Sequence, residues 1–407
     1  MQQSPYRWVI VAAGGFLGCL AMGAMFSLPV FLVPMAEATG WSRTGISSAM
    51  TIGFLTMAAS ALGWGLLLDR FGPRVIVVIG SVGLALGLAA AAKAPNLLTF
   101  QLAFGIIVGA SATAILPPMM ATVTGWFETQ RSLAVSLVSA GFGMAPLTMS
   151  PLAAWLVARM DWRDAMLTIA ALVAALMIPT ALIFIRRAPS LAPGAAARAS
   201  DPPESAGMTT GEALRSAPFL ILATTNIFCC ATHSGPIFHT VSYAIACGIA
   251  PLAAVSIYSL EGLAGMGGRL VFGVLGDRLG AKRVLVTGLL VQAIVAFGYI
   301  LASRLDQFYL VAALFGFTYA GVMPLYSVLA RENFPVRMMG AIIGGTSTAG
   351  SLGMALGPLA GGWIYDTYAT YTWLYLGSFG MGIGAFLIAM TYRPFPKPIV
   401  APAAQPA

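Results

Sequence analysis

The chain has 407 residues, of which 59% are hydrophobic and only 8% are charged. Soluble globular proteins carry roughly 25% charged residues because their surface faces water, so this composition excludes a soluble protein and indicates one that faces lipid. The formal net charge is +8, and it implies no nucleic-acid partner, because Lys and Arg gather in the loops of one side of the predicted membrane protein.

Apolar segments long enough to cross a bilayer follow one another along the chain and predict about twelve transmembrane helices. Their approximate limits are 8–34, 45–67, 75–94, 97–125, 131–158, 163–185, 218–245, 251–275, 284–302, 306–330, 338–363 and 371–392. The longest interruption, 186–217, contains four prolines and four arginines and predicts a flexible linker. The expected fold is an all-α integral membrane protein with two pseudo-symmetric six-helix bundles. Its predicted parts are an N-terminal bundle (1–187), a linker (188–217), a C-terminal bundle (218–394) and a tail (395–407).

The distribution of basic residues predicts the orientation. With the N-terminus on the cytoplasmic side, 15 Lys and Arg fall on the inner side and 5 on the outer side. Basic residues are retained in cytoplasmic loops, so we expect a multi-pass protein of the inner (plasma) membrane with both termini, the linker and the tail in the cytoplasm.

A repeated segment follows the second and the eighth apolar segments, at an offset of 208 residues (273 − 65). Its two copies supply Gly65, Asp69, Arg70, Gly72 and Arg74 in the first half, and Gly273, Asp277, Arg278, Gly280 and Lys282 in the second. The pattern resembles the G-x-x-x-D-R-x-G-x-[RK] signature of the major facilitator superfamily. That resemblance implies two six-helix bundles, transport by alternating access and a gating role for the motif. Its acidic residue would cap a helix or pair with an arginine, and its glycines would let helices approach. The alternative is an ordinary charged loop that only fixes topology.

Charged residues inside the predicted spans are functional candidates, because an ionisable group in hydrocarbon costs at least ~2.5–3.5 kcal/mol. The first six spans contain none in their interiors, whereas the eighth contains Arg269 and Glu261. A guanidinium suits a small carboxylate, which it binds through two parallel hydrogen bonds, so Arg269 is our main candidate for substrate binding. The alternatives are that Arg269 extends to the cytoplasmic interface or pairs with a structural acid. Three nearby glycines leave room for a ligand or for a close helix.

Three other kinds of polar residue are weaker candidates. Glu261, about 12 Å along the helix from Arg269, either is kept neutral by burial and carries a proton, or faces water in an outer vestibule. His233 and His239 project about 120° apart, so we do not expect them to share one site. His233 is a candidate for substrate binding and His239 for proton coupling. The alternative for each is a polar residue packed in the core. Tyr319 and Tyr326, seven residues apart on the tenth span, either line the substrate cavity or belong to the core.

The residues 26–35 and 40–47 resemble the monocarboxylate transporter and oxalate/formate antiporter branch of the superfamily. Arg269 occupies the place of that branch's substrate-binding arginine, which implies a small monocarboxylate moved in symport with a proton. This chain has Gly265 where animal-type members carry an acidic residue. Glu261 or a histidine would then have to replace the branch's usual proton-binding groups, or the coupling differs.

Other functions remain as alternatives. An anion exchanger or a non-transporting membrane sensor would have the same fold. An intramembrane enzyme is not expected, because the spans contain no pair of acids, no His-Glu zinc pattern and no Gly-x-Ser-x-Gly. The expected partners are a small anion, protons and membrane lipids around a monomer, with no cofactor and no metal.

Overall fold

The computed structural model describes residues 5–127, 131–187, 209–334 and 338–393, and their regular secondary structure is entirely helical. We number the long helices α1 to α12. In the N-terminal half they are α1 (Tyr6–Met25 and Leu28–Thr39), α2 (Arg43–Phe71), α3 (Pro73–Ala92), α4 (Leu97–Gln101, a π-helical turn Leu102–Val108, Gly109–Thr113 and Leu116–Trp126), α5 (Arg131–Gly143 and Ala145–Val157) and α6 (Trp162–Phe184). In the C-terminal half they are α7 (Ala217–Ala246), α8 (Pro251–Leu279), α9 (Ala281–Leu301), α10 (Leu305–Asn333), α11 (Met339–Tyr368) and α12 (Thr372–Met390).

Among the described residues, 8 helices are both long and apolar enough to cross a membrane. The remaining four, α2, α7, α8 and α11, are 29 or 30 residues long and thus long enough, but their sequences are less apolar. They pack on other helices: α2 runs along α11 of the other half, α8 lies against α5 and α10, and α7 lies against α11 and α12. Helices covered by protein need fewer apolar residues than helices surrounded by lipid, so the expected architecture is confirmed.

The repeated segment forms the same turn in both halves. Its second glycine ends a long helix with positive φ, +80° at Gly72 and +89° at Gly280. Side chains with a Cβ rarely adopt this conformation, so the glycine permits the chain to stop α2 or α8 and begin the next helix at once. We call the end of the bundle that carries these two turns the motif end, and the other end, where α11 stops, the Asp366 end.

Part of the predicted linker is helical. The structure describes its residues 209–217, which contain a short helix, Thr210–Arg215. Thr209 Oγ1 accepts a hydrogen bond from the N–H of Glu212 at 3.3 Å, and the Glu212 carboxylate accepts one from the N–H of Thr209 at 2.7 Å. This reciprocal pair stabilises the start of a helix. The predicted tail, 395–407, lies outside the described residues.

Candidate functional site

Arg269 lies where the two halves meet. Its half-buried side chain extends from α8 toward α5 of the other half, where Nη1 donates a hydrogen bond to the carbonyl of Ser139 at 3.3 Å. A Cβ on Gly143 would stand 3.6 Å from the same nitrogen. Among the described side chains, the one ion pair within 4.0 Å joins Arg304 and Asp306. The guanidinium therefore has a backbone carbonyl as neighbour and no described carboxylate.

The glycines beside Arg269 serve helix packing. A Cβ on Gly265 would lie 3.2 Å from the carbonyl oxygen of Gly316, and one on Gly268 would collide with the carbonyl of Phe317. Both positions let α8 approach the backbone of α10, as small residues do in membrane helix pairs. Of the two expectations for these glycines, room for a close helix thus holds at Gly265 and Gly268.

Glu261 is fully buried inside the C-terminal half, so the alternative in which it faces an outer vestibule is wrong. The hydroxyl of Tyr299 on α9 donates to Glu261 Oε2 at 3.3 Å, while Oε1 has no hydrogen-bond partner in the described part of the chain. The backbone carbonyl of Glu261 packs against Gly316. A buried carboxyl with one unsatisfied oxygen is costly as an anion.

His233 and Tyr319 form a stacked pair on α7 and α10. Their ring centroids are 4.9 Å apart and the rings are inclined by 28°. His233 Nδ1 lies 3.3 Å from Nε2 of Gln292, which also donates to the carbonyl of Cys229 at 3.4 Å. Tyr319 lies within electrostatic range of both Arg269 and Glu261. The structure thus brings His233 and Tyr319 into contact, with Arg269 and Glu261 within electrostatic range of the tyrosine.

Tyr326 and His239 lie elsewhere. Tyr326 is buried nearer the motif end, where its hydroxyl faces the thiol of Cys229 within a hydrophobic cluster of the C-terminal half. His239 is buried toward the Asp366 end, with Nε2 3.0 Å from the carbonyl oxygen of Pro358 and its ring 5.2 Å from that of Tyr371. The two histidines therefore have separate surroundings, as their angular separation predicted.

The first glycine of each motif copy has no close helix neighbour among the described residues. A Cβ on Gly65 or Gly273 would meet no described atom within 4 Å, and Asp277 and Arg278 are exposed. Arg70 and Gly280 are exposed, Gly72 is buried and Lys282 is half-buried, while the side chain of Asp69 lies outside the description. Arg74 acts within the N-terminal half, where Nε donates to the carbonyl of Ile185 at 2.8 Å.

An apolar groove of about 810 Å³ between α1, α5 and α6 is separate from this site. Its wall includes Leu137 and Thr148, which lie roughly 120–180° around α5 from Ser139 and Gly143. The groove is therefore on the side of α5 that faces away from the other half.

Sequence reasoning missed a polar contact between the halves at the Asp366 end. The Asp366 carboxylate on α11 accepts hydrogen bonds from the N–H groups of Arg43 and Thr44 at 3.1 and 2.7 Å. Arg43 and Asp366 lie just outside the predicted limits of their spans, 45–67 and 338–363, where charged residues are ordinary. Gly362, one turn before the acid, marks a place where another helix can approach closely, but it does not identify which helix.

Comparisons with known proteins agree with the architecture. The family model of the Major Facilitator Superfamily matches residues 14–344 and 262–405. The chain is 27% identical over 386 residues to monocarboxylate transporter 13 of Bos taurus, covering 94% of this chain and 87% of the relative. It is 24% identical over 359 residues to the oxalate:formate antiporter of Oxalobacter formigenes, covering 86% and 84%.

A solved structure shows the same fold. The crystal structure of a bacterial homolog of the human lysosomal transporter Spinster, in an inward-facing and unoccupied conformation, superposes with a TM-score of 0.76. The alignment has 16% sequence identity and covers 96% of this chain and 98% of the other. These proteins are transporters rather than enzymes. On the family match, the helical architecture and the repeated turn, the chain belongs to the Major Facilitator Superfamily and is a membrane transporter related to monocarboxylate transporters.

Proposed function

We propose that this chain moves a small monocarboxylate across the cytoplasmic membrane in symport with a proton, by alternating access. The Bos taurus relative is named for monocarboxylates, and the Oxalobacter relative is named for oxalate and formate. Small carboxylates are the substrate class common to both names.

The observation that carries the proposal is the position of Arg269. Its positive charge lies between the halves, against the Ser139 carbonyl, with no carboxylate beside it among the described side chains. A backbone carbonyl supplies one acceptor and no compensating charge, whereas a substrate carboxylate supplies both. Tyr319 and His233 would add a hydroxyl donor and an aromatic wall beside the bound anion, with Tyr326 as a further candidate nearer the motif end.

Glu261 is the proposed proton carrier. Its buried carboxyl has an unsatisfied Oε1, so the loss of its proton would leave an uncompensated charge that favours the proton's return. Glu261 and Arg269 both lie within electrostatic range of Tyr319, so an anion bound at Arg269 would change the cost of ionising Glu261. His239, the other candidate, packs instead against the Pro358 carbonyl and the ring of Tyr371.

In the proposed orientation, the motif end lies on the cytoplasmic side of the inner membrane, as the distribution of basic residues indicates. The two motif copies would then close that end in the alternate state. They consist of Gly65, Asp69, Arg70, Gly72 and Arg74 in the first half, and Gly273, Asp277, Arg278, Gly280 and Lys282 in the second. A rocking motion of the halves about a site between them is the general form of such a cycle. The working unit we propose is a monomer in lipid.

Substitution of Arg269 tests the substrate proposal. In reconstituted vesicles, Arg269→Ala should lower carboxylate uptake at least about 30-fold, since lost hydrogen bonds to a charged group cost roughly 1.5–3 kcal/mol each. Arg269→Lys should fall between, because it keeps the charge without the planar fork. The matched control is Arg304→Ala, which removes an exposed arginine at the Asp366 end. Uptake near the parent level in a folded Arg269→Ala protein would remove the assignment.

Substitution of Glu261 separates symport from exchange. Glu261→Gln should abolish accumulation driven by an imposed proton gradient while it preserves exchange of labelled for unlabelled carboxylate. If the parent protein shows exchange alone, with no response to the gradient, then the chain is an antiporter, as its Oxalobacter relative is named. A Glu261→Gln variant that still accumulates substrate would exclude Glu261 as the proton carrier.

A further inference from the structure

The first turn of α2 and the last turn of α11 join the two halves at the Asp366 end. Asp366 Oδ1 accepts from the N–H of Arg43 at 3.1 Å, and Oδ2 accepts from the N–H of Thr44 at 2.7 Å and from the Thr44 hydroxyl. The first N–H groups of a helix lack partners within it, and the helix dipole favours a negative charge there. One carboxylate of the C-terminal half thus satisfies three donors of the N-terminal half.

The contact is made from both sides. Arg43 Nη1 donates to the hydroxyl of Tyr371 at 2.8 Å, and its guanidinium lies 3.7 Å from the ring centroid of Tyr365. At Gly362, one turn before Asp366, a Cβ would stand 2.7 Å from Cα of Thr44 and 2.8 Å from its nitrogen. The backbones of α2 and α11 are therefore as close as glycine allows, and a larger residue would separate them.

Asp366 is not needed to start α2. Ser42 already caps this helix, because its Oγ accepts from the N–H of Gly45 at 3.0 Å. The N–H groups of Arg43 and Thr44 are the ones left for the other half. The bonds to Asp366 therefore join the halves, and their loss would not remove the cap that α2 carries itself.

The other hydrogen bonds between the halves extend the same seam. Thr51 Oγ1 donates to the carbonyl of Ala355 at 2.7 Å, and Ser259 Oγ donates to the carbonyl of Pro146 at 3.0 Å. In the described part of the chain, the bond from Arg269 to Ser139 is the one of this set nearest the motif end. These hydrogen bonds therefore hold the halves together along the stretch from Arg269 to Asp366.

We propose that Asp366 is the gate residue of this end. Its carboxylate keeps the Asp366 end closed while the motif end is open, and it must release Arg43 and Thr44 once in each transport cycle. The inference rests on the proposed transport by alternating access, but its test requires no substrate.

The test measures access to the seam from the Asp366 side. Ser259→Cys, in a protein with Cys19 and Cys247 replaced by Ser, places a thiol at the seam. A membrane-impermeant maleimide is added on the Asp366 side of oriented vesicles. Asp366→Ala should speed modification at least tenfold, equivalent to 1.4 kcal/mol, and Asp366→Asn should speed it less. Thr44→Val removes one donor and should have a smaller effect of the same sign.

The matched control is Asp306→Asn, which removes an exposed carboxylate at the same end that is paired within its own half. It should leave the modification rate unchanged. If a folded Asp366→Ala protein is modified within twofold of the parent rate, the proposal that Asp366 is a gate residue is overturned. A lower Tm with no change in the modification rate would also overturn it, because that result indicates a purely structural role. If Asp366→Ala fails to fold, an unchanged rate in Thr44→Val overturns it. Because the labelling uses no substrate, a normal labelling response with failed carboxylate uptake, or the reverse, distinguishes failure of the carboxylate proposal from failure of the gate.

Discussion

The two ends of the molecule use glycine and charge in different ways. At the Asp366 end, Gly362 brings α2 and α11 into backbone contact and Asp366 bonds across the seam. At the motif end, no described atom lies within 4 Å of a Cβ placed on Gly65 or Gly273, and Asp277 is exposed. α2 therefore packs tightly across the seam at one end, whereas at the other end neither Gly65 of α2 nor Gly273 of α8 has a close neighbour among the described residues.

This difference shows that, in a single conformational state, the repeated sequence motif and the contact that joins the two halves can lie at opposite ends of the molecule. The repeated segment is the most recognisable feature of the sequence, yet here its clear structural use is the positive φ of Gly72 and Gly280. The contact that holds the halves together has no repeated counterpart. If the motif closes its end in the alternate state, then opposite substitutions at the two ends should shift the transporter in opposite directions.

The largest effect is expected from Gly362→Val. A branched side chain at this position would collide with the backbone of Thr44, so the Asp366 end could not close and transport should fall roughly 100-fold, at the upper end of the ~1–3 kcal/mol cost of overpacking. Uptake assays and the maleimide reaction at Ser259→Cys measure this. The control is Gly377→Val, at an exposed position with no atom within 4 Å of a Cβ; equal effects of the two substitutions would contradict the packing argument.

A moderate effect of opposite sign is expected from Asp277→Asn. If Asp277 helps to close the motif end in the alternate state, its loss disfavours that state by ~1–2 kcal/mol. Maleimide access from the Asp366 side should then fall several-fold, and uptake should slow. Glu332→Gln, an exposed acid of α10 near the motif end, is the control. Faster modification at Ser259→Cys in Asp277→Asn would contradict the assignment of the motif to this gate.

The smallest effect is expected from Thr51→Val, which removes the bond to the carbonyl of Ala355. One neutral hydrogen bond contributes about 1 kcal/mol, so modification at Ser259→Cys should rise two- to fivefold. Thr180→Val is the matched control, since the Thr180 hydroxyl bonds to the Leu176 carbonyl of its own helix. If Thr180→Val raises the modification rate as much as Thr51→Val does, then the effect of Thr51→Val does not come from the lost bond between the halves.

The fold could be predicted because its signals are local or repeated. Apolar length gives the helices, and the copies at Gly65 and Gly273 give the duplication. Arg269 could be identified because a charge within an apolar span is unusual. The surroundings of Glu261 could not, since burial depends on Tyr299 of α9 and Gly316 of α10, and helical spacing does not say which neighbour covers a face.

The contact between Arg43 and Asp366 joins residues separated by 323 positions. No pattern within either segment marks them as partners, because a charge at the end of a span is ordinary wherever the chain meets water. The surroundings of Tyr326 were unpredictable for a related reason: it shares a helix face with Tyr319, but seven residues along the axis bring it beside Cys229. Long-range neighbours, rather than periodicity, decide both cases.

Asp366 binds main-chain N–H groups of Arg43 and Thr44, and this has a consequence for mutational tolerance. Every amino acid except proline retains its main-chain N–H, so most replacements at position 44 would keep one of the bonds, whereas position 366 needs a short carboxylate. A saturation mutagenesis scan should therefore find that many substitutions are tolerated at the start of α2 and few at the end of α11. Variation among natural sequences at this seam would be confined to one side for the same reason.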